Sequence, residues 1–226
     1  THKFRLFPVG RLDRKTSGLL LCTNNGDLSA LCCRPGLLDK EYHVTTSVQP
    51  SPQQLQALVD GITLNDGPAR AESATVLSVS SREFTCTATK RRKTDGATDD
   101  TPVTTYVKYT SDISIVVRHG RNRIVRRMCA AVGLPVMELR RVRIGPLSVD
   151  SMGFVEANEH VLLDERQVNL LWDAAGGYDR FIAQKLKSMQ RAVDRMVVSS
   201  DDAIVLNAWL VARHELKLQA VQDSEE

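Results

Sequence analysis

Val9-Gly10-Arg11-Leu12-Asp13-Arg14-Lys15-Thr16-Ser17-Gly18-Leu19-Leu20-Leu21-Cys22 is the stretch on which the reading of this 226-residue chain turns. Phe4 to Val9 reads as a short strand closed by the Gly10 turn. Leu19 to Thr23 is a short apolar run of buried-strand type, ended by the tight turn Asn24-Asn25-Gly26. Between the two lies a glycine-bracketed loop with one acid, Asp13, among Arg11, Arg14 and Lys15. Neighbouring positive charge keeps a carboxylate ionised, and an ionised carboxylate can act as a nucleophile or a base. The competing reading is structural: a turn or cap aspartate, with Thr16 and Ser17 as turn hydroxyls.

Outward from that loop the pattern alternates between strands and single helices. Asp27 is expected to cap a helix over Leu28–Cys33, stopped by Pro35-Gly36, and Glu41–Val48 reads as a strand. Ser51-Pro52 starts a helix with Leu55, Leu58 and Val59 on one face, and Gly61 ends it. Alternating stretches follow at 71–80, 82–89, 106–109 and 112–118. The polar segment 90–102 between them reads as a mobile hairpin insertion. Residues 122–132 read as a helix with Ile124, Val125, Met128 and Val132 toward the core, and Val136–Ile144 as a strand. The expected fold is α+β, a mainly antiparallel mixed sheet with flanking helices, over residues 1–172. Beyond residue 173 two amphipathic stripes follow, Ile182-Leu186-Met189-Val193-Met196 on a helix over Tyr178–Val198 and then Val205-Trp209-Ala212-Leu216. They predict a helical hairpin extension, 173–226, whose residues 178–221 either pack within the chain or dock on a protein partner.

Composition narrows the function classes. No apolar run approaches the roughly 18 residues of a membrane helix, so no membrane partner is expected. Cys22, Cys32, Cys33, Cys86 and Cys129 show neither CxxC nor Cys/His ligand spacing, which argues against a disulfide scaffold and a structural metal. Net charge is +3, yet residues 118–143 hold eight arginines against the single acid Glu138, and Lys90-Arg91-Arg92-Lys93 adds a second basic knot. Such clustering points to a polyanion partner, because guanidinium forks phosphate and stacks on bases; a merely solvated basic face is the alternative. The candidate nucleic-acid contacts are Arg118, Arg121, Asn122, Arg123, Arg127, Arg140, Arg141 and Arg143. Within this segment the His119-Gly120 turn opens a helix whose start can hold a phosphate. One helical turn further, Arg126 is placed to reach inward to a carboxylate. Neither GxxxxGK[ST] nor GxGxxG occurs here.

Four motifs occur in a fixed order: GRLDRKTSG at 10–18, Lys40-Glu41-Tyr42, GRNRIVRRM at 120–128, and Arg141-Val142-Arg143-Ile144-Gly145-Pro146-Leu147. Over residues 4–172 the chain resembles the RsuA/RluB-type pseudouridine synthases. That resemblance implies isomerisation of a specific uridine in structured RNA, usually ribosomal RNA, without cofactor. It implies that Asp13 is the catalytic aspartate, that Tyr42 packs against the flipped uracil, that Arg126 pairs with Asp13, and that Leu147 lines the base pocket. Arg11 and Thr16, on the same loop, are the further substrate-binding candidates. In three places the sequence departs from the family pattern. An N-K-P-x-G-like strand and a small RNA-binding module ahead of the loop are absent, so another segment or chain is expected to supply that edge. Ile124 stands where Gln or Glu is usual. The 90–102 insertion and the 173–226 extension resemble an organellar member, and imply a mitochondrial-matrix protein acting in a pre-ribosomal particle. Two readings follow, an active rRNA pseudouridine synthase or a catalytically idle rRNA-binding assembly factor; substitution of Asp13 separates them.

Overall fold

A computed structural model of the chain describes residues 5–87, 103–153 and 160–195. It divides into two units, Thr1–Ala175 and Gly176–Glu226. The first unit is α+β. Its elements are β1 (Phe7–Pro8), β2 (Ser17–Gly18), β3 (Cys22–Thr23), α1 (Gly26–Cys33), β4 (Lys40–Thr46), α2 (Pro52–Asp60), β5 (Ile62–Leu64) and β6 (Gly67–Ala69). They continue with β7 (Ser73–Thr87), β8 (Val103–Val117), α3 (Ile124–Ala131), β9 (Val136–Ile144), β10 (Leu147–Ser148) and α4 (Glu165–Ala174).

One sheet of six strands organises the unit in the order β10-β9-β4-β8-β7, antiparallel throughout, with β2 joining β9 in parallel. Alternation along the strands sends Val44, Ile113, Ile115, Val117 and Leu139 to one face. Leu58 of α2 and Ile124, Val125, Met128 and Cys129 of α3 complete that core. The intervening residues, Glu41, Thr45, Asp112 and Ser114, form a polar network on the other face. There Ser114 donates to Glu41 at 2.8 Å, and Thr45 and Ser78 donate to Asp112 at 2.7 and 2.8 Å. One apolar and one polar face is the usual economy of an antiparallel sheet.

Local sequence explains the flanking elements. Ser51 caps α2 with a reciprocal bond from Gln54, and Pro52 sits in its first turn. α1 differs from expectation: Asn25, not Asp27, is the cap, its side chain accepting from Asp27 N and Leu28 N. The break expected between two strands near residue 81 is absent. β7 and β8 are each single strands of 15 residues, and the irregularity is a register shift between Val76 and Ser78 that a bulge at Leu77 absorbs. The insertion 90–102 lies outside the described residues.

The second unit begins with α5 (Tyr178–Arg195), where the sequence stripe predicts a helix. Phe181, Ile182 and Leu186 are half-buried and Lys185 lies 5.8 Å above the Phe181 ring. The second expected helix, over 205–216, falls outside the described residues.

Candidate active site

The Gly10–Gly18 loop is held at several points. Thr16 N donates to Asp13 O at 2.8 Å, making a tight turn. Ser17 and Gly18 then pair with Arg140 and Arg141 of β9, and Leu19 N donates to Arg141 O at 2.8 Å. Gly18 has φ +106, and a Cβ there would lie 2.7 Å from Arg141 N and 2.9 Å from Arg141 C; only glycine permits so close a seam. Two guanidinium groups grip the loop backbone. Arg126 donates to Lys15 O at 2.6 Å and to Val136 O at 3.3 Å, and Arg141 donates to Leu19 O at 2.8 Å.

Above this seam opens a cleft of about 250 Å³. Its walls come from four distant parts of the chain: Arg11, Asp13 and Thr16 of the loop, Lys40 and Tyr42 of β4, the His119–Arg123 turn, and Leu139, Arg141 and Ile144 of β9. Asp13 is the sole carboxylate among the described lining residues. Burial, with the charge of Arg141 beside it, pulls the Lys40 ammonium below its ordinary pKa. Arg141 is 3% exposed, and its Nη2 has no hydrogen-bond partner. Thr16 Oγ1 is likewise buried and unpaired. Cys32, also in the wall, is pushed by burial to a pKa of about 11, so it stays a thiol and offers no thiolate nucleophile. No group of His, Cys, Asp or Glu among the described residues could hold a metal ion.

A family model described as RNA pseudouridylate synthase matches residues 1–131. The chain belongs to that family. Its members are isomerases, and named relatives act in the context of ribosomal RNA. The ribosomal large subunit pseudouridine synthase E of Xanthomonas campestris is 38% identical over 151 residues, covering 66% of this chain and 73% of that protein. The ribosomal large subunit pseudouridine synthase B of Bacillus subtilis is 30% identical over 170 residues, 75% of this chain and 59% of its own length. A solved crystal structure of a pseudouridylate synthase aligns with TM-score 0.54 and 26% identity, over 74% of this chain and 59% of that one.

Within this pseudouridine synthase fold the expected site residues are distributed unevenly. Asp13, Arg11, Thr16 and Tyr42 meet in the cleft. Arg126 does not pair with Asp13: its guanidinium is engaged with Lys15 O and Val136 O, its Nε is unpaired, and Asp13 is in no ion pair among the described residues. The turn from Asp13 to Thr16 is the reason, since it presents the Lys15 carbonyl to α3 while Asp13 lines the cleft. Leu147 is not in the wall either. The Gly145 turn carries it onto β10, one strand beyond β9, and Leu139 and Ile144 form the apolar side instead. Ile124 lines the cleft and belongs to the core at 5% exposure, which accounts for an apolar side chain there.

The arginine cluster divides in the same way. Arg127 makes a forked pair to Asp66 at 2.7 and 2.8 Å, while Arg121 donates to Pro68 O at 2.7 Å and Asp66 O at 2.9 Å. Both pin the β5–β6 hairpin, and the Arg127 hydrogen bond holds the Asp66 carboxyl below its usual range. Arg143 bridges Asp39 and Glu41, each at 2.9 Å. Arg118, Asn122, Arg123 and Arg140 remain exposed. Arg123 lines the cleft mouth with φ +49, the one non-glycine residue with positive φ among those described, a conformation that concentrates at functional sites. Sequence reasoning missed Lys40, Leu139 and the enclosure of Arg141. The period-2 alternation of β4 and β9, which places Lys40 with Tyr42 and Leu139 with Arg141, carried the signal.

Proposed function

We propose that this chain isomerises a specific uridine of ribosomal RNA to pseudouridine, with Asp13 as the catalytic carboxylate. The observation that carries the reading is that Asp13 is the only acid lining a cleft otherwise formed by Tyr42, apolar side chains and cations. A uridine flipped from its stack, at a cost of a few kcal/mol, fits a cleft of this size with its base against the Tyr42 ring. Breaking the C1′–N1 bond leaves its electron pair on the base. Lys40 and Arg141, neither ion-paired to an acid among the described residues, favour that build-up of negative charge in a site shielded from water. The base turns, C5 bonds to C1′, the C5 proton leaves and N1 is protonated. Asp13 acts either on the sugar or base as a nucleophile or on a ribose proton as a base. Arg118, Arg123 and Arg140 hold the flanking backbone, a contribution that weakens with salt.

The test is single-nucleotide mapping of pseudouridine in rRNA from cells lacking the protein, complemented at matched levels by wild type or Asp13→Asn. One uridine modified by wild type and untouched by the variant is expected, with a loss of at least about a thousandfold in rate and RNA affinity within about threefold. If no position differs while the protein stays bound to RNA, the enzymatic reading fails and the idle RNA-binding factor replaces it.

A further inference from the structure

β7 and β8 run well past the rest of the sheet. β4 ends at Thr46, opposite Ser111, so from Thr110 to Val103 and from Val79 to Thr87 the two strands pair only with each other. A two-stranded ribbon is marginal in water by itself, and this one leaves Phe84 39% and Tyr106 48% exposed. Three successive in-register pairs share one face: Ser80 with Thr110, Arg82 with Lys108, and Phe84 with Tyr106. Like charges directly opposite each other destabilise a ribbon, and no ion pair among the described residues relieves Arg82 or Lys108. The one acid on the described distal ribbon, Glu83, pairs with Val107 and so belongs to the opposite face. Next to the two cations the Phe84 and Tyr106 rings lie nearly parallel, 15° apart with centroids at 5.6 Å. Two cations, two flat rings and two hydroxyls with no acid match the chemistry of an RNA strand: phosphates for the cations, a base or ribose for the rings.

We propose that this face of the β7–β8 ribbon binds an RNA segment remote from the uridine in the cleft. Tyr42 pairs with Ile115, and Lys108 lies seven residues earlier on the same strand, about 23 Å away at roughly 3.3 Å per residue. The ribbon therefore meets a different element of the RNA from the one that supplies the target base. Acting at that distance, it selects for a large structured substrate over a short one. The inference rests on the reading of the partner as ribosomal RNA.

The experiment measures filter binding of the full chain to a transcript of large-subunit rRNA as a function of salt. It compares wild type, the double variant Arg82→Ser/Lys108→Ser, and the charge-retaining Arg82→Lys/Lys108→Arg, with thermal melting to confirm that each is folded. The serine variant is expected to bind about tenfold more weakly at 0.1 M salt. Its slope of log K against log salt should fall by about 1.8, as for two lost phosphate contacts, and the charge-retaining variant should restore both. An unchanged slope, with or without a loss of affinity, overturns the proposal. So does a change in mass by light scattering between wild type and the serine variant, which would assign the face to a second copy. Failure here is distinct from failure of the enzymatic reading. A chain that makes no pseudouridine can still show the ribbon-dependent slope, and an active chain can lack it.

Discussion

Near Val117, where β8 hands the chain to the arginine-rich turn, guanidinium groups bind backbone carbonyls and loop acids. Arg126 holds Lys15 O, Arg141 holds Leu19 O, Arg121 and Arg127 hold Asp66, and Arg143 holds Asp39 and Glu41. Near Val103, on the same strand pair, Arg82 and Lys108 stand opposite each other with no acid partner among the described residues. The dense cluster that first suggests a nucleic-acid surface is in large part internal cross-linking, and the sparse pair on the ribbon is the open one. Cations packed densely in sequence converge on the same turn and loops, where carbonyls and acids are within reach. Cations on a ribbon beyond the sheet have only solvent or a partner.

The first way to break the comparison is Arg126→Gln. If Arg126 works by fixing the Asp13 loop, removing the donor to Lys15 O loosens the carboxylate by a fraction of an ångström to about an ångström, and misplacement of that order costs roughly a hundredfold in rate. The expected result is a kcat lower by about two orders of magnitude with KM changed less than threefold, read in single-turnover kinetics on the mapped rRNA. A rise in KM at unchanged kcat would instead place Arg126 among the groups that hold RNA, and the division between cross-linking and open arginines would not stand.

Much of this was legible in the sequence, and the boundary is physical. β4, α2 and β9 follow from alternation, a Ser51-Pro52 start and the apolar positions of one face, because those signals are local. The Asp13 loop and the Tyr42 strand were legible as motifs. The partner of each arginine was not. Arg127 and Asp66 are 61 residues apart, and nothing in Asn65-Asp66-Gly67 distinguishes an anchoring acid from a turn residue. The displacement of Leu147 from the cleft depends on the Gly145 reversal, a backbone event that hydrophobicity alone does not encode. The continuity of β7 was hidden because the bulge at Leu77 shifts the alternation by one residue.

Gly18→Ala sharpens the same contrast through stability. The new methyl meets the Arg141 backbone, and φ +106 is unfavourable for alanine, so the variant should lose at least about 2 kcal/mol. For a chain of this size that lowers Tm by roughly 4–8 °C. A ribbon substitution such as Arg82→Ser touches nothing in the core and should stay within about 0.5 kcal/mol. Thermal melting of the two variants side by side checks the pair, and equal losses would mean that the ribbon is as integral to the fold as the Gly18 seam.

The smallest expected effect is a pH dependence confined to the cross-linked end. Burial works to raise the Glu41 carboxyl, but hydrogen bonds from Arg143 and Ser114, together with the charges of Arg143 and His43, more than offset it, and its pKa lies below the usual 4.5. A carboxyl whose pKa is depressed by folding contributes stability that is complete above its unfolded value and is lost as pH falls through the folded one. Wild type should therefore exceed Glu41→Gln in Tm at pH 6, and the gap should narrow steadily below about pH 4.5. Asp112, held low by the Thr45 and Ser78 hydroxyls, keeps an acid limb in both proteins, so the informative quantity is the difference between them. Arg82 and Lys108 have no such carboxyl to titrate, and their serine variants should track wild type across the same range. A gap that stays constant from pH 6 to pH 3 would mean that Arg143 does not depend on the ionised Glu41 carboxylate, and that its tie to Asp39 alone secures β9 against β4.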